Sequence, residues 1–467
     1  MKGGKKKTKS GGATSRMGWL GAVFAAGIAI GYSFSGFAAN DSSSLPTSSI
    51  SPVVESTTTL PVLGNSSALD IRMAVFDGKS GAAVTIPDDI SAVSSYARIM
   101  HDVPKRVAGA ADSPMGAKFR NFRKEDLTMY WDNGTPEGVY SGVIGGNGFS
   151  STNTYVGHTF IFRLDGEELA RHTMRDDARL YIIEPREDDV ATRQSHEYKF
   201  AKKELDFMAS YRDKNGFPWL AHWPREKPKL PIWPAESVGL THTVATSRKY
   251  ITCSDSSNPE CESSAGPNLD LLVLSTAPKV FLIENMLSEF ECDHIVQLGK
   301  SRVKRSSVGS GKSAYVSNTR TSKTGWLTRH TDRIVDRVFQ RMAEVIGVPD
   351  EVLNHDQNAE NLQIVHYTKG QEYTPHHDFG YTGKPHQRFL TLLVYIDPAP
   401  QGGGTSFPKA FKGRGLAVEP PRGSGVLFYS MLGDGNADDK SLHAGMPVID
   451  GEKWLCNLWV WDPKISR

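Results

Sequence analysis

Three side chains near the C-terminal end of this 467-residue chain have the types and spacing of a metal centre. His376 and Asp378 stand in Pro375-His376-His377-Asp378-Phe379, and His443 follows 65 residues after Asp378. On a strand, residues i and i+2 share a face and i+1 points away. That geometry pairs His376 with Asp378 and turns His377 outward. Two imidazoles and one carboxylate are the ligand set that holds non-haem Fe(II) and leaves three coordination positions open. Taken alone, His-x-Asp is a weak signal, and a second observation strengthens it. Ten residues after His443 comes Lys453, just past an Asp450-Gly451 hairpin turn. A cation there suits the far carboxylate of an oxo-acid whose other end chelates the metal. Most lysines lie at the surface. This one lies beside Trp-rich strand segments, where an ammonium in a water-poor interior needs a charged partner.

Such residues need a scaffold, and the flanking sequence supplies one. Ser288 and Glu291 form a capping box ahead of Phe290, Ile295 and Leu298, so a helix starts there. Ile334, Val338, Met342, Val345 and Ile346 mark a second helix that closes at Gly347, with Pro349 beyond. Residues 362–367, 389–396, 425–430 and 454–461 then read as strands. Helices followed by a sheet-rich half predict a barrel or jelly roll buttressed by helices on one face. Upstream, residues 117–186 alternate in short runs broken at Asp132-Asn133-Gly134 and Asp165-Gly166, the pattern of a small β-sandwich. Residues 187–276, rich in Trp and Pro over 200–245, read as an ordered connector. Residues 71–116 carry no sustained period, and no internal repeat is visible.

The composition narrows the function classes. Apolar residues at 39%, before counting 44 glycines, suit a chain that buries real cores. The net charge of +2 hides six cations and no acid within residues 1–16, which leaves the remainder at −4. A slightly acidic body is a poor partner for phosphate backbones, so nucleic acid is not the expected ligand. Residues 17–39 carry no charge and reach about 34 Å as a helix, enough to cross a ~30 Å hydrocarbon core. The basic tail before them predicts a cytosolic N-terminus and a lumenal body. A signal peptide cut after Ala38 is the competing reading, but the run exceeds the usual apolar region of such peptides. Ser42–Ser67 has 13 Ser or Thr in 26 residues and reads as a flexible stalk within 40–70. Asn65-Ser66-Ser67 and Asn133-Gly134-Thr135 are glycosylation sequons. Secretory entry permits disulfides. Cys253 and Cys261 flank a short polar loop that they can close, whereas Cys292 and Cys456 read as buried small hydrophobes. The terminal Ile465-Ser466-Arg467 is no KDEL-type signal, which leaves the endoplasmic reticulum and the Golgi both open. No heptad seam marks an oligomer.

Residues 277–467 resemble the catalytic domain of the prolyl 4-hydroxylases. The matching signature runs through Arg320-Thr321-Ser322, Tyr367-x-x-Gly370-x-x-Tyr373, the PHHDF run and Arg388-x-x-Thr391. It continues through Gly403-Gly404-Thr405-x-Phe407-Pro408, LHAG, PVI and GEKW. The family usually has Glu where Gly404 stands, which reads as a loop difference without catalytic meaning. The resemblance implies a double-stranded β-helix that uses Fe(II), 2-oxoglutarate and oxygen, with ascorbate as reductant. It implies decarboxylation of 2-oxoglutarate to succinate and hydroxylation of a peptidyl proline at Cγ. It assigns His376, Asp378 and His443 to the metal, and Lys453 and Tyr367 to the far carboxylate. Thr391 would line that pocket, and Tyr373, Arg388 and Trp459 would contact the peptide proline. The bland alternatives are core aromatics for Tyr373 and Trp459, and a strand-end charge for Arg388.

The 117–186 segment resembles, more weakly, the β domain of the von Hippel–Lindau tumour suppressor, a reader of hydroxyproline peptides. The residues matching its pocket are Trp131, Tyr140, Thr154, His158 and Phe160, of which Thr154 and Phe160 depart from its Ser and Trp. A shared fold without the binding function is the alternative. The whole chain thus reads as mainly β with flanking helices: a small sandwich and a C-terminal jelly-roll dioxygenase behind a transmembrane anchor. Its expected partners are a proline-containing peptide and the membrane. Another 2-oxoglutarate-dependent hydroxylase, acting on lysine or a small molecule, is the nearest rival. A non-catalytic hydroxyproline-binding adaptor is the rival from another class.

Overall fold

The computed structural model describes residues 74–76, 83–85, 89–100, 114–175, 177–255, 258–306, 321–379 and 386–463. The basic tail, the 17–39 run, the stalk with Asn65, and Arg320 lie outside the described residues. Among those described, no helix is long and apolar enough to cross a membrane.

Two large sheets dominate the described C-terminal body. The larger has nine strands in the order Thr241–Ala245, Asn268–Thr276, Lys279–Ile283, Ser424–Tyr429, Gln387–Asp397, Glu452–Asp462, Leu362–Thr368, Lys323–Leu327 and Lys304–Arg305. The smaller has five, ordered Tyr373–His376, His443–Gly445, Thr405–Phe407, Leu416–Val418 and Ala97–Ile99. Side chains from both fill the space between them, among them Val365, Tyr395, Phe407, Phe428 and Leu455. The rings of Phe407 and Phe428 meet edge-on at 5.2 Å. This is a jelly-roll arrangement, as the strand runs predicted. Helices Glu289–Lys300 and Arg333–Ile346 bury Cys292, Ile295, Val338, Met342 and Ile346 in the core on the other face of the large sheet. Covered on both sides, the Gln387–Asp397 strand is buried along nearly its whole length rather than alternating.

The helix ends follow from their residues. The Ser288 hydroxyl accepts from the Glu291 amide at 3.1 Å, and the Glu291 carboxylate accepts from the Ser288 amide at 2.9 Å. Asp332 caps the second helix by accepting from the Val335 amide, and Gly347 ends it at φ +80°. Between the two helices, the fully buried Glu291 and Arg341 pair through both carboxylate oxygens at 2.7 and 2.9 Å.

Residues 114–183 form a β-sandwich. One sheet is Leu180–Ile183, Pro114–Asn121 and Phe149–Tyr155; the other is Val139–Ile144, Leu127–Trp131, Thr159–Leu164 and Glu167–Thr173. Phe119 sits between Phe160 and Phe162, at 5.2 and 5.1 Å, in a core with Leu127, Met129 and Ile183.

The chain is less linear than its sequence suggests. Strand Ala97–Ile99, in the stretch with no readable period, completes the smaller sheet by pairing with Leu416–Val418. The expected connector contains a 20-residue helix, His196–Asn215, and two strands of the large sheet. The Asn268–Thr276 and Lys279–Ile283 strands form one hairpin, so a boundary at residue 277 falls inside it. The sandwich is therefore an insertion between two strands of the oxygenase body. Cys253 and Cys261 are joined, while Cys292 and Cys456 are free and buried. The connector is also fixed to the loop ahead of His443. The side-chain oxygen of buried Asn436 accepts from the Leu220 and Ala221 amides at 2.7 and 3.2 Å, and its NH2 donates to Pro218 O at 2.9 Å.

Candidate active site

The smaller sheet brings two of the three chemical side chains together by register alone. His376 and His443 are direct cross-strand partners, with rings 4.3 Å apart. Asp378 follows two residues past the strand end, and one atom from each residue lies within 4.8 Å of the others. Both rings are oriented from behind. His376 Nδ1 lies 2.8 Å from Thr374 O, and His443 Nδ1 lies 3.0 Å from Ser441 O. A carbonyl only accepts, so each Nδ1 carries a proton and each ring faces Asp378 with its Nε2. The Nε2 atoms stand 3.9 Å from Asp378 Oδ1 and 3.6 Å from Oδ2 respectively. That donor set fits a divalent metal.

Asp378 is itself held. Its Oδ2 accepts from Thr391 Oγ1 at 2.6 Å and from Trp459 Nε1 at 3.0 Å, both on the large sheet. Burial would raise its pKa, but His443, Arg388 and His376, with the Thr391 hydrogen bond, outweigh that and hold the carboxyl well below the usual range.

Lys453 is 1% exposed, between the rings of Tyr395 and Tyr367, with Nζ 4.5 and 5.4 Å from their centres. It donates to Gly403 O and lies 3.5 Å from the Tyr395 hydroxyl. No carboxylate among the described residues is within ion-pair distance. Burial lowers its pKa to about 7, against the opposing pull of Glu419. Gly445, two residues past His443, lies between the two groups. A Cβ there would lie 3.5 Å from the Tyr367 hydroxyl, which puts Lys453 and the histidines in the same inter-sheet space. A buried ammonium with only neutral acceptors fits the far carboxylate of a dicarboxylic co-substrate.

Some expected roles are altered by the geometry. His377 points away from the ligand cluster, yet it is buried rather than outward in solvent. Its Nε2 lies 2.9 Å from Asp439 O, and burial lowers its pKa to about 4. Trp459 donates its indole N–H to Asp378, and Tyr373 stacks on His376 with ring centres 3.6 Å apart. Arg388 is gripped by Glu360 at 2.6 and 3.0 Å and lies 3.7 Å over the face of Trp459. These three residues line the metal cluster, but Arg388 and Trp459 already hold partners. Glu360 gave no signal in the sequence, because nothing in its neighbourhood marks a carboxylate whose partner lies 28 residues on. The Gly404 departure also has a structural reason. A Cβ there would lie 2.5 Å from Glu419 Cγ, whose carboxylate pairs with Arg98 of the added strand at 2.9 Å.

In the sandwich, four of the five expected pocket residues converge. Trp131 and Phe160 are cross-strand partners, the Trp131 and His158 rings are 5.2 Å apart, and Thr154 Oγ1 lies 3.0 Å from His158 Nδ1. Tyr140 does not join them. A bulge makes it the partner of Tyr130 rather than Trp131, which turns it to the opposite, solvent-facing side of the sheet.

Comparison with known proteins agrees with this chemistry. Residues 362–461 match the family described as the 2OG-Fe(II) oxygenase superfamily. Probable prolyl 4-hydroxylase 6 of Arabidopsis thaliana is 37% identical over 210 residues, which is 40% of this chain and 70% of that protein. Probable prolyl 4-hydroxylase 8 of the same plant is 36% identical over 212 residues, again 40% and 70%. Among solved structures, the viral collagen prolyl hydroxylase of Paramecium Bursaria Chlorella virus-1 in its 2OG complex is 25% identical. It covers 39% of this chain and 95% of its own, with a TM-score of 0.32. With that sequence identity across more than two thirds of its plant relatives, and a His-Asp-His cluster between two sheets, the chain belongs to the prolyl 4-hydroxylase family of 2-oxoglutarate-dependent Fe(II) oxygenases.

Proposed function

We propose that this chain hydroxylates peptidyl proline to 4-hydroxyproline, with Fe(II) held by His376, Asp378 and His443. 2-Oxoglutarate is anchored by Lys453 beside Tyr367, and ascorbate serves as reductant. The observation that carries the reading is the pairing of a His-Asp-His cluster with a buried, carboxylate-free ammonium in one inter-sheet space. The metal and co-substrate together supply the oxidising power for the C–H bond. The protein's own residues orient the rings through Nδ1, fix Asp378 through Thr391 and Trp459, and keep water away with the Tyr367, Tyr395 and Phe428 walls. The test is succinate formation dependent on a proline peptide, with and without Fe(II), alongside mass detection of hydroxyproline. His376→Ala and Asp378→Ala should abolish both, and His377→Ala should largely spare them. Turnover on lysine peptides alone would assign the rival hydroxylase reading.

The setting we propose is the lumen of the endoplasmic reticulum or Golgi, behind a single type II anchor at residues 17–39. The Cys253–Cys261 bridge supports an oxidising compartment, and Asn133 is exposed for glycosylation. A second reading concerns the sandwich: Trp131, Thr154, His158 and Phe160 form a site for hydroxyproline. The Trp131 indole N–H, buried without a hydrogen-bond partner among the described residues, favours it. Calorimetry with proline and hydroxyproline peptides on wild type and His158→Ala decides it, since equal or absent binding removes the idea.

A further inference from the structure

We propose that Glu360 is a positioning residue that keeps Arg388 off the oxygen of Asp378 that a metal would take. The inference rests on the metal-centre reading above. Asp378 Oδ2 already accepts two hydrogen bonds, from Thr391 and Trp459, so Oδ1 is the oxygen left for a cation. The guanidinium of Arg388 stands close to it, with Nη1 3.8 Å from Oδ1. At that distance, in a poorly solvated site, the attraction is strong, and a competing carboxylate keeps the two from closing.

Glu360 is that competitor. Its Oε1 accepts from Arg388 Nε at 2.6 Å and from Trp461 Nε1 at 2.8 Å, and its Oε2 accepts from Arg388 Nη2 at 3.0 Å. The two-pronged grip fixes the plane of the guanidinium as well as its distance, and that plane lies 3.7 Å over Trp459. The grip is rigid because its main chain is zipped to the same strand. The Glu360 amide donates to Trp459 O at 3.0 Å. The Trp461 amide donates to Asn358 O at 2.6 Å, and the Asn358 side chain returns a bond to Trp461 O at 2.7 Å. Released from Glu360, Arg388 turns to Asp378, and its positive charge then competes with the metal for one oxygen.

The experiment is calorimetric titration of Mn(II) alone into the metal-free full chain, with no peptide or co-substrate. Glu360→Gln should weaken Mn(II) binding by about 10–100-fold, the range seen when the surroundings of a metal ligand are disturbed. Glu360→Gln combined with Arg388→Met should recover most of that loss, because the competing cation is gone. A residue that merely supports the fold would show no such recovery. Wild-type affinity in Glu360→Gln, or a double variant no better than the single one, overturns the proposal. If Glu360→Gln fails to fold by thermal unfolding of the metal-free protein, Glu360→Asp carries the test. Its shorter carboxylate keeps one prong, so a loss of a few-fold supports the proposal and unchanged affinity overturns it. His376→Ala separates this inference from its premise: if it still binds Mn(II) like wild type, the metal reading itself falls.

Discussion

Two of the cations the molecule buries, Arg341 and Lys453, are treated in opposite ways. Arg341, between the helices, donates to both oxygens of Glu291 and to the carbonyls of Arg248, Lys249 and Met286. Glu291 in turn accepts from the Ser288 and Ile251 amides, so the pair leaves little unsatisfied. Lys453, between the sheets, has a carbonyl, a distant phenol and two aromatic faces. The first charge is closed by its own protein and serves the fold. The second is left open at a cost in stability, because what closes it arrives from outside.

The comparison can be broken from either side. Glu291→Ala strands the Arg341 guanidinium and removes a helix cap, so denaturant unfolding should show a loss of about 3–5 kcal/mol. A loss below about 1 kcal/mol would mean that the closed network contributes little. Lys453→Met should leave the ligand-free protein at least as stable as wild type while weakening 2-oxoglutarate binding about 100-fold. A destabilised apoprotein would show Lys453 to be structural after all. Asn436→Ala tests a closed neutral network: it orphans the Leu220 and Ala221 amides and should cost about 1–3 kcal/mol.

The remaining effect is in pH. Lys453 has its pKa lowered to about 7 when folded, against about 10.4 in an unfolded chain. Between these values the unfolded state binds more protons, so ligand-free stability should rise with pH across that window relative to Lys453→Met. 2-Oxoglutarate needs the charged form, so its affinity should fall as pH rises through and beyond 7. An affinity flat from pH 6 to 9 would show that the ammonium stays protonated without the ligand.

What could be read in the sequence was local. The capping box at Ser288, the Gly347 stop and the i, i+2 spacing of His376 and Asp378 each sit within a few residues, and each predicts its own geometry. The His196–Asn215 helix was missed although Ala201, Glu204, Met208 and Tyr211 recur at helical spacing, because neighbouring Trp and Pro residues read as a connector. What escaped depends on distant partners. Three residues, Ala97–Ile99, have no period of their own and become a strand only against Leu416–Val418. Arg388 read as a proline contact or a strand-end charge, because its partner Glu360 is invisible from the neighbours of either residue. Tyr140 was misplaced by a single-residue bulge, which reverses every side chain beyond it.

The insertion of the sandwich between Ala97–Ile99 and Thr241–Ala245 has a practical consequence. A module at a chain terminus is lost to one protease nick, whereas this one stays covalently attached through its remaining connector when either is cut. Deleting it is likewise no simple truncation. The two severed ends must be rejoined so that the short front strand still reaches its edge of the smaller sheet, where Arg98 meets Glu419.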